Sequence, residues 1–104
     1  METIHLLLVD DETAFLKPLA NRLEKRGMSV ETAVSGPRAL VALADNSHVE
    51  VVVLDVKMPE MDGIQTLIQI KKQYPLVEVI MLTGNATVET AIQGMKLGDR
   101  KSVV

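Results

Sequence analysis

Three aspartates and a threonine stand where short apolar runs stop. Asp10 and Asp11 follow Ile4 to Val9, Asp55 follows Val49 to Leu54, and Thr83 follows Val77 to Leu82, with Gly84 and Asn85 behind it. Each alone has a plainer use. An Asp-Asp pair can cap a helix, a lone Asp after a strand makes a turn, and a strand-end threonine can satisfy backbone groups. Brought together, three carboxylates repel and raise one another's pKa unless a cation sits among them. An oxygen-only donor set with open positions suits Mg²⁺, which keeps waters and takes few carboxylates plus phosphate oxygens. A carboxylate so placed beside a hydroxyl and a small glycine can itself accept a phosphoryl group.

The elements that must bring them together alternate along the chain. Ile4 to Val9 reads as a strand, and Phe15, Leu16, Leu19, Ala20 and Leu23 mark one face of a helix that Pro18 should kink or delay. Gly27 suits the end of that helix, after the basic Arg22, Lys25 and Arg26. Met28 to Val34 alternates as an edge strand with Met28, Val30, Thr32 and Val34 on one face. Ser35 and Pro37 open a helix carrying Ala39, Leu40, Leu43 and Ala44, which Asn46 and Ser47 break. Val49 to Leu54 is a central strand covered on both faces. After the turn Lys57 to Met61, a third helix is expected with Ile64, Leu67, Ile68 and Lys71 as its stripe, closed by Tyr74-Pro75. Val77 to Leu82 is the fourth strand, and Val88, Ala91, Ile92 and Met95 form the stripe of a fourth helix before Gly98. Tandem βα units predict right-handed crossovers and a parallel sheet with helices on both faces. In such sheets ligands bind outside the carboxyl ends of the strands, where the candidate residues lie.

Composition narrows the field. The 104 residues suit one domain, and a net charge of −3 with pI near 5.3 offers no basic field for nucleic acid or an anionic membrane. With no cysteine there is no thiol or disulfide chemistry, which fits a reducing, cytoplasmic setting. Aromatic residues are only Phe15 and Tyr74, so base-stacking platforms are excluded. No apolar run approaches the roughly 20 residues of a membrane span. A P-loop enzyme is set aside because Asp10-Asp11-Glu12 stands where the glycine-rich loop would follow the first strand. The basic residues gather near helix C-termini as dipole complements, and His5 and His48 lack an acidic partner at ligand spacing.

The segments LLLVDDE (Leu6 to Glu12), VVVLDVKMPEMDG (Val51 to Gly63) and VIMLTGNATVETAIQGMKLG (Val79 to Gly98) resemble the receiver domain of bacterial two-component response regulators. The last segment is most similar to receivers of the nitrogen-regulatory type. The resemblance implies a flavodoxin-like α/β fold with strand order 2-1-3-4(-5). It implies Asp55 as phosphoacceptor, Mg²⁺ held by Asp10, Asp11, Asp55 and the carbonyl of Lys57, and Thr83 as the switch hydroxyl. Pro59 and Gly63 would shape the loop, and Lys57 and Asn85 match variable positions that tune the lifetime of the phosphoryl group. A sensor histidine kinase would be the donor. The departure lies at the end, where residues 99–104 form a short tail after a receiver-like unit of residues 1–98. The family's fifth strand, with its switch aromatic and Lys-Pro, has no aligned counterpart, and Lys101 stands too early for the lysine. The final βα unit is thus expected to be truncated. Two expectations follow from the open fourth strand: self-association through its edge, or exchange of elements between protomers. The alternative function is a phosphorylation-impaired interaction or scaffold domain acting through that self-association.

Overall fold

The first strand, β1 (His5–Val9), is apolar after His5, and so is β3 (Val51–Asp55) up to its terminal aspartate. In the computed structural model, which describes residues 3–55 and 63–82, these are the two central strands of a parallel sheet ordered β2-β1-β3-β4. β2 (Ser29–Ala33) lies at one edge and β4 (Glu78–Leu82) follows β3. The expected order 2-1-3-4 is therefore observed; the fifth position, the fourth helix and the tail lie outside the described residues, as does whatever flanks β4 on its other side.

Continuous apolar runs are needed because both faces are covered. Leu7, Val9, Val52, Leu54, Val79 and Met81 face a core completed by Ala39 and Leu43 of α2 (Gly36–Asp45) and Ile70 of α3 (Gly63–Gln73). Leu6, Leu8, Val53, Ile80 and Leu82 point the other way, onto Leu16, Leu19 and Leu23 of α1 (Thr13–Lys25). Successive residues alternate faces, so two cores follow from one set of strands.

Local chemistry sets the helix ends. Ser35 caps α2 by accepting from the Arg38 amide at 3.3 Å, with Pro37 in the first turn. Gly27, at φ +88°, ends α1. Its amide donates to Glu24 C=O at 3.0 Å and the Met28 amide donates to Leu23 C=O at 3.2 Å, closing a Schellman motif. Asn46 stops α2 by donating Nδ2 to Ala42 C=O at 2.8 Å. Pro18 sits inside α1 with the helix running through it from Thr13 to Lys25. Both Pro18 and Ala14 are exposed, so the Ala14 carbonyl deprived of an amide faces water.

Two expected faces are corrected. On α3 the buried residues are Gly63, Thr66 and Ile70, whereas Ile64 and Ile68 are 50% and 56% exposed. Thr66 in the core turns the helix so that two of the four expected stripe residues face out. Lys71, a third, donates Nζ to the carbonyls of Pro75 and Val77, clasping the loop into β4. On β2, Met28 and Val30 are half-buried as expected, but Thr32 and Val34 are exposed and Ala33 is the buried residue. Past its middle this edge strand is covered only on the α2 side, where Ala33 joins the core. β2 also runs one residue shorter than expected at each end.

Candidate acidic site

The register Val9↔Leu54 between β1 and β3 places the next residue of each chain, Asp10 and Asp55, side by side at the carboxyl ends of the strands. Asp11 follows at the turn into α1. The carboxylates of Asp10, Asp11 and Asp55 each offer an oxygen within 4.8 Å of the others. Among the described residues this is the one group of three or more acidic, histidine or cysteine side chains so gathered.

Their environments differ. Asp10 is buried, 7% exposed, while Asp11 is exposed and Asp55 half-buried. Asp10 is held from two sides: its own N–H donates to Ala33 C=O at 3.1 Å, and its Oδ1 accepts the Glu12 N–H at 2.9 Å. Burial raises the Asp10 pKa from 3.8 to about 7, with repulsion from Asp55 and Asp11 adding to the rise and the Glu12 amide opposing it. A carboxyl pushed that far, chiefly by burial, is a group that a divalent cation would return to its charged form. The donor set is oxygen only and fits Mg²⁺ or a similar hard cation, whose ligands lie at about 2.0–2.1 Å.

The plain capping role for the aspartate pair is only partly realised. The N-cap of α1 is Glu12, whose side chain makes no capping bond, and Asp10 instead accepts the N-cap residue's own amide. That amide contact was not anticipated, although an Asp two residues ahead of a helix N-cap is the spacing of an Asx turn. Lys57, Pro59, Thr83 and Asn85 lie outside the described residues, so the structure brings together three of the expected site residues, Asp10, Asp11 and Asp55. Gly63 is the buried first residue of α3.

His5 and His48 sit at the opposite, amino end of the sheet, in edge-to-face contact with ring centroids 4.6 Å apart. His5 does have an acidic neighbour, since Glu50 accepts its backbone N–H at 3.0 Å, but the ring Nδ1 is buried without a partner. Neither histidine joins the acidic group. Arg22 and Lys25 occupy the last turn of α1 and Lys71 and Lys72 that of α3, as helix dipoles favour. No helix among the described residues is long and apolar enough to cross a membrane.

A family model described as "Response regulator receiver domain" matches residues 6–104. The chain is 42% identical over 94 residues to the transcriptional regulatory protein GlrR of Escherichia coli K12, covering 90% of this chain and 21% of that protein. It is 39% identical over 100 residues to a putative NtrX-like response regulator of Rickettsia bellii, covering 94% and 21%. The chain thus spans about a fifth of the length of these curated relatives. Among solved structures, a receiver domain from Clostridium thermocellum superposes with TM-score 0.77 at 36% identity, covering 96% of this chain and 80% of that one. The receiver domain of NtrX from Brucella abortus gives 0.75 at 31%, covering 95% and 82%.

Proposed function

Because this chain belongs to the response regulator receiver domain family, and so to the phosphoacceptor modules of two-component systems, we propose that Asp55 accepts a phosphoryl group from a histidine kinase. The observation that carries this is the convergence of Asp10, Asp11 and Asp55 at adjacent strand ends, with Asp55 half-buried and open to a donor. An Asp55 carboxylate oxygen forms the new bond to phosphorus as the bond to the donor's imidazole nitrogen breaks, leaving that electron pair on the imidazole. Asp10 and Asp11, with Asp55 and the Lys57 carbonyl, would hold Mg²⁺, which when bound supplies positive charge to the phosphoryl oxygens. In this reading Thr83 contributes its hydroxyl to the phosphoryl group, and residues 1–98 make up the phosphoacceptor unit. The chain is then a recipient of phosphoryl groups rather than a turnover catalyst, acting in the cytoplasm where such kinases use ATP. One relative is named a transcriptional regulatory protein, and the output here would pass to a partner segment or protein.

The test is incubation with acetyl phosphate and Mg²⁺, read by intact mass. A single phosphoryl adduct is expected on the wild type and none on Asp55→Asn. A wild type that stays unmodified at saturating Mg²⁺ would refute the assignment.

A further inference from the structure

We propose that the outward faces of α2 and α3 form a docking surface for an acidic amphipathic helix of a partner protein. The proposal does not depend on phosphoryl transfer to Asp55. It begins with the way α3 is turned. Gly63, Thr66 and Ile70 are its buried residues, while Ile64 and Ile68 are 50% and 56% exposed. Burying a glycine and a threonine while two isoleucines stay in water is a choice that packing alone disfavours, and local conflicts of this kind gather at functional surfaces. One turn separates Ile64 from Ile68, and the exposed Lys72 follows one turn later, so the outward stripe of α3 is two apolar residues and a cation. The neighbouring helix extends it. Val41 of α2 is 55% exposed, and it and Ile68 each stand five residues past the start of their helix. The two helices pack together and both return from the carboxyl to the amino ends of parallel strands, which sets Val41 and Ile68 at the same level.

Charge selects the occupant. The chain as a whole stands at −3, yet α2 and α3 together carry the cations Arg38, Lys71 and Lys72 against the single acid Asp45. Lys71 is turned to the carbonyls of Pro75 and Val77 at 3.1 and 2.8 Å, which leaves Arg38, three residues before Val41, and Lys72, four after Ile68, as the cations along the apolar stripe. A helix with apolar residues at three- and four-residue spacing and carboxylates on its flanks matches both features. A second copy of this face would instead set the same cations against one another.

The probe is a pair of helical peptides of about 15 residues with the same leucine face, flanked by glutamates in one and by lysines in the other, titrated at low salt into the isotope-labelled chain and followed by NMR. The glutamate peptide is expected to shift the signals of Val41, Ile64 and Ile68 and to bind about three- to tenfold more tightly than the lysine peptide. Ile68→Ser, at a position that faces water, should weaken the glutamate peptide at least about tenfold. Lys72→Glu should bring the two peptides within about twofold of each other. Unshifted signals at the three residues, equal binding of the two peptides by the wild type, or a preference that Lys72→Glu leaves intact would overturn the proposal. Broadening of the Ile64 and Ile68 signals with chain concentration, in the absence of peptide, would overturn it as well and assign the face to a second copy.

Discussion

Replacing Asp10 with asparagine is expected to stabilise the cation-free chain at alkaline pH while removing its response to Mg²⁺. Asp10 is 7% exposed and its pKa is raised from 3.8 to about 7, first by burial and then by Asp55 and Asp11. A folded-state pKa above the unfolded one means that the folded chain holds this proton more tightly. The associated stability is complete below about pH 4 and is lost as pH rises through about 7. Taken in full, the shift would be worth about 3 kcal/mol between pH 5 and pH 8. Water reaches the group beside the exposed Asp11 and half-buried Asp55, which reduces the expected loss to about 1–2 kcal/mol. Asparagine keeps an oxygen for the Glu12 amide and carries no charge, so its advantage over wild type should grow by that amount across the range. Urea unfolding in EDTA at pH 5, 6, 7 and 8 measures it. At pH 8, Mg²⁺ at ten times its dissociation constant should then stabilise the wild type by about 1.4 kcal/mol and the variant hardly at all. Parallel pH curves for the two chains, or an asparagine variant less stable at pH 8, would refute the electrostatic account of the site.

Other expectations concern the frame. Ile70→Ala, at a fully buried position on α3, should cost about 2–5 kcal/mol in urea unfolding, whereas Ile68→Lys two residues earlier should stay within about 0.5 kcal/mol because that side chain faces water. Gly27→Ala should lose about 1 kcal/mol through backbone strain alone, since φ is +88° and an added Cβ would meet nothing within 4 Å. Thermal unfolding of Ser35→Ala should register a loss of about 0.5–1 kcal/mol for the α2 cap, whose 3.3 Å bond is exposed.

The central strands were legible because burial on both faces demands uninterrupted apolar residues, as in Leu6 to Val9 and Val51 to Leu54. Their termini exposed the site, since Asp10 and Asp55 interrupt those runs at one end of the sheet. The orientation of α3 was not legible. Ile64 and Ile68 are as apolar as Ile70, and a single helix contains no rule by which Thr66 should enter the core ahead of them. The inequality of the three aspartates was hidden as well. Adjacent residues Asp10 and Asp11 differ in burial because the chain turns between them into α1, and the Glu12 amide that fixes Asp10 leaves no trace in residue identity. β4 is the last described strand of the sheet, with Val79, Ile80, Met81 and Leu82 all buried, and nothing among the described residues tests the self-association or element exchange expected from the sequence.

Asp10 and Asp55 extend strands that are direct hydrogen-bonded neighbours. Their backbones are thereby one inter-strand step apart, about 4.8 Å, a length set by the ladder rather than by side-chain choice. The pocket borrows its ruler from the sheet. The backbone at the floor of the pocket cannot widen without parting β1 from β3, the pair on which both cores are built. A cation bridging Asp10 and Asp55 would therefore tie together the two central strands of the fold.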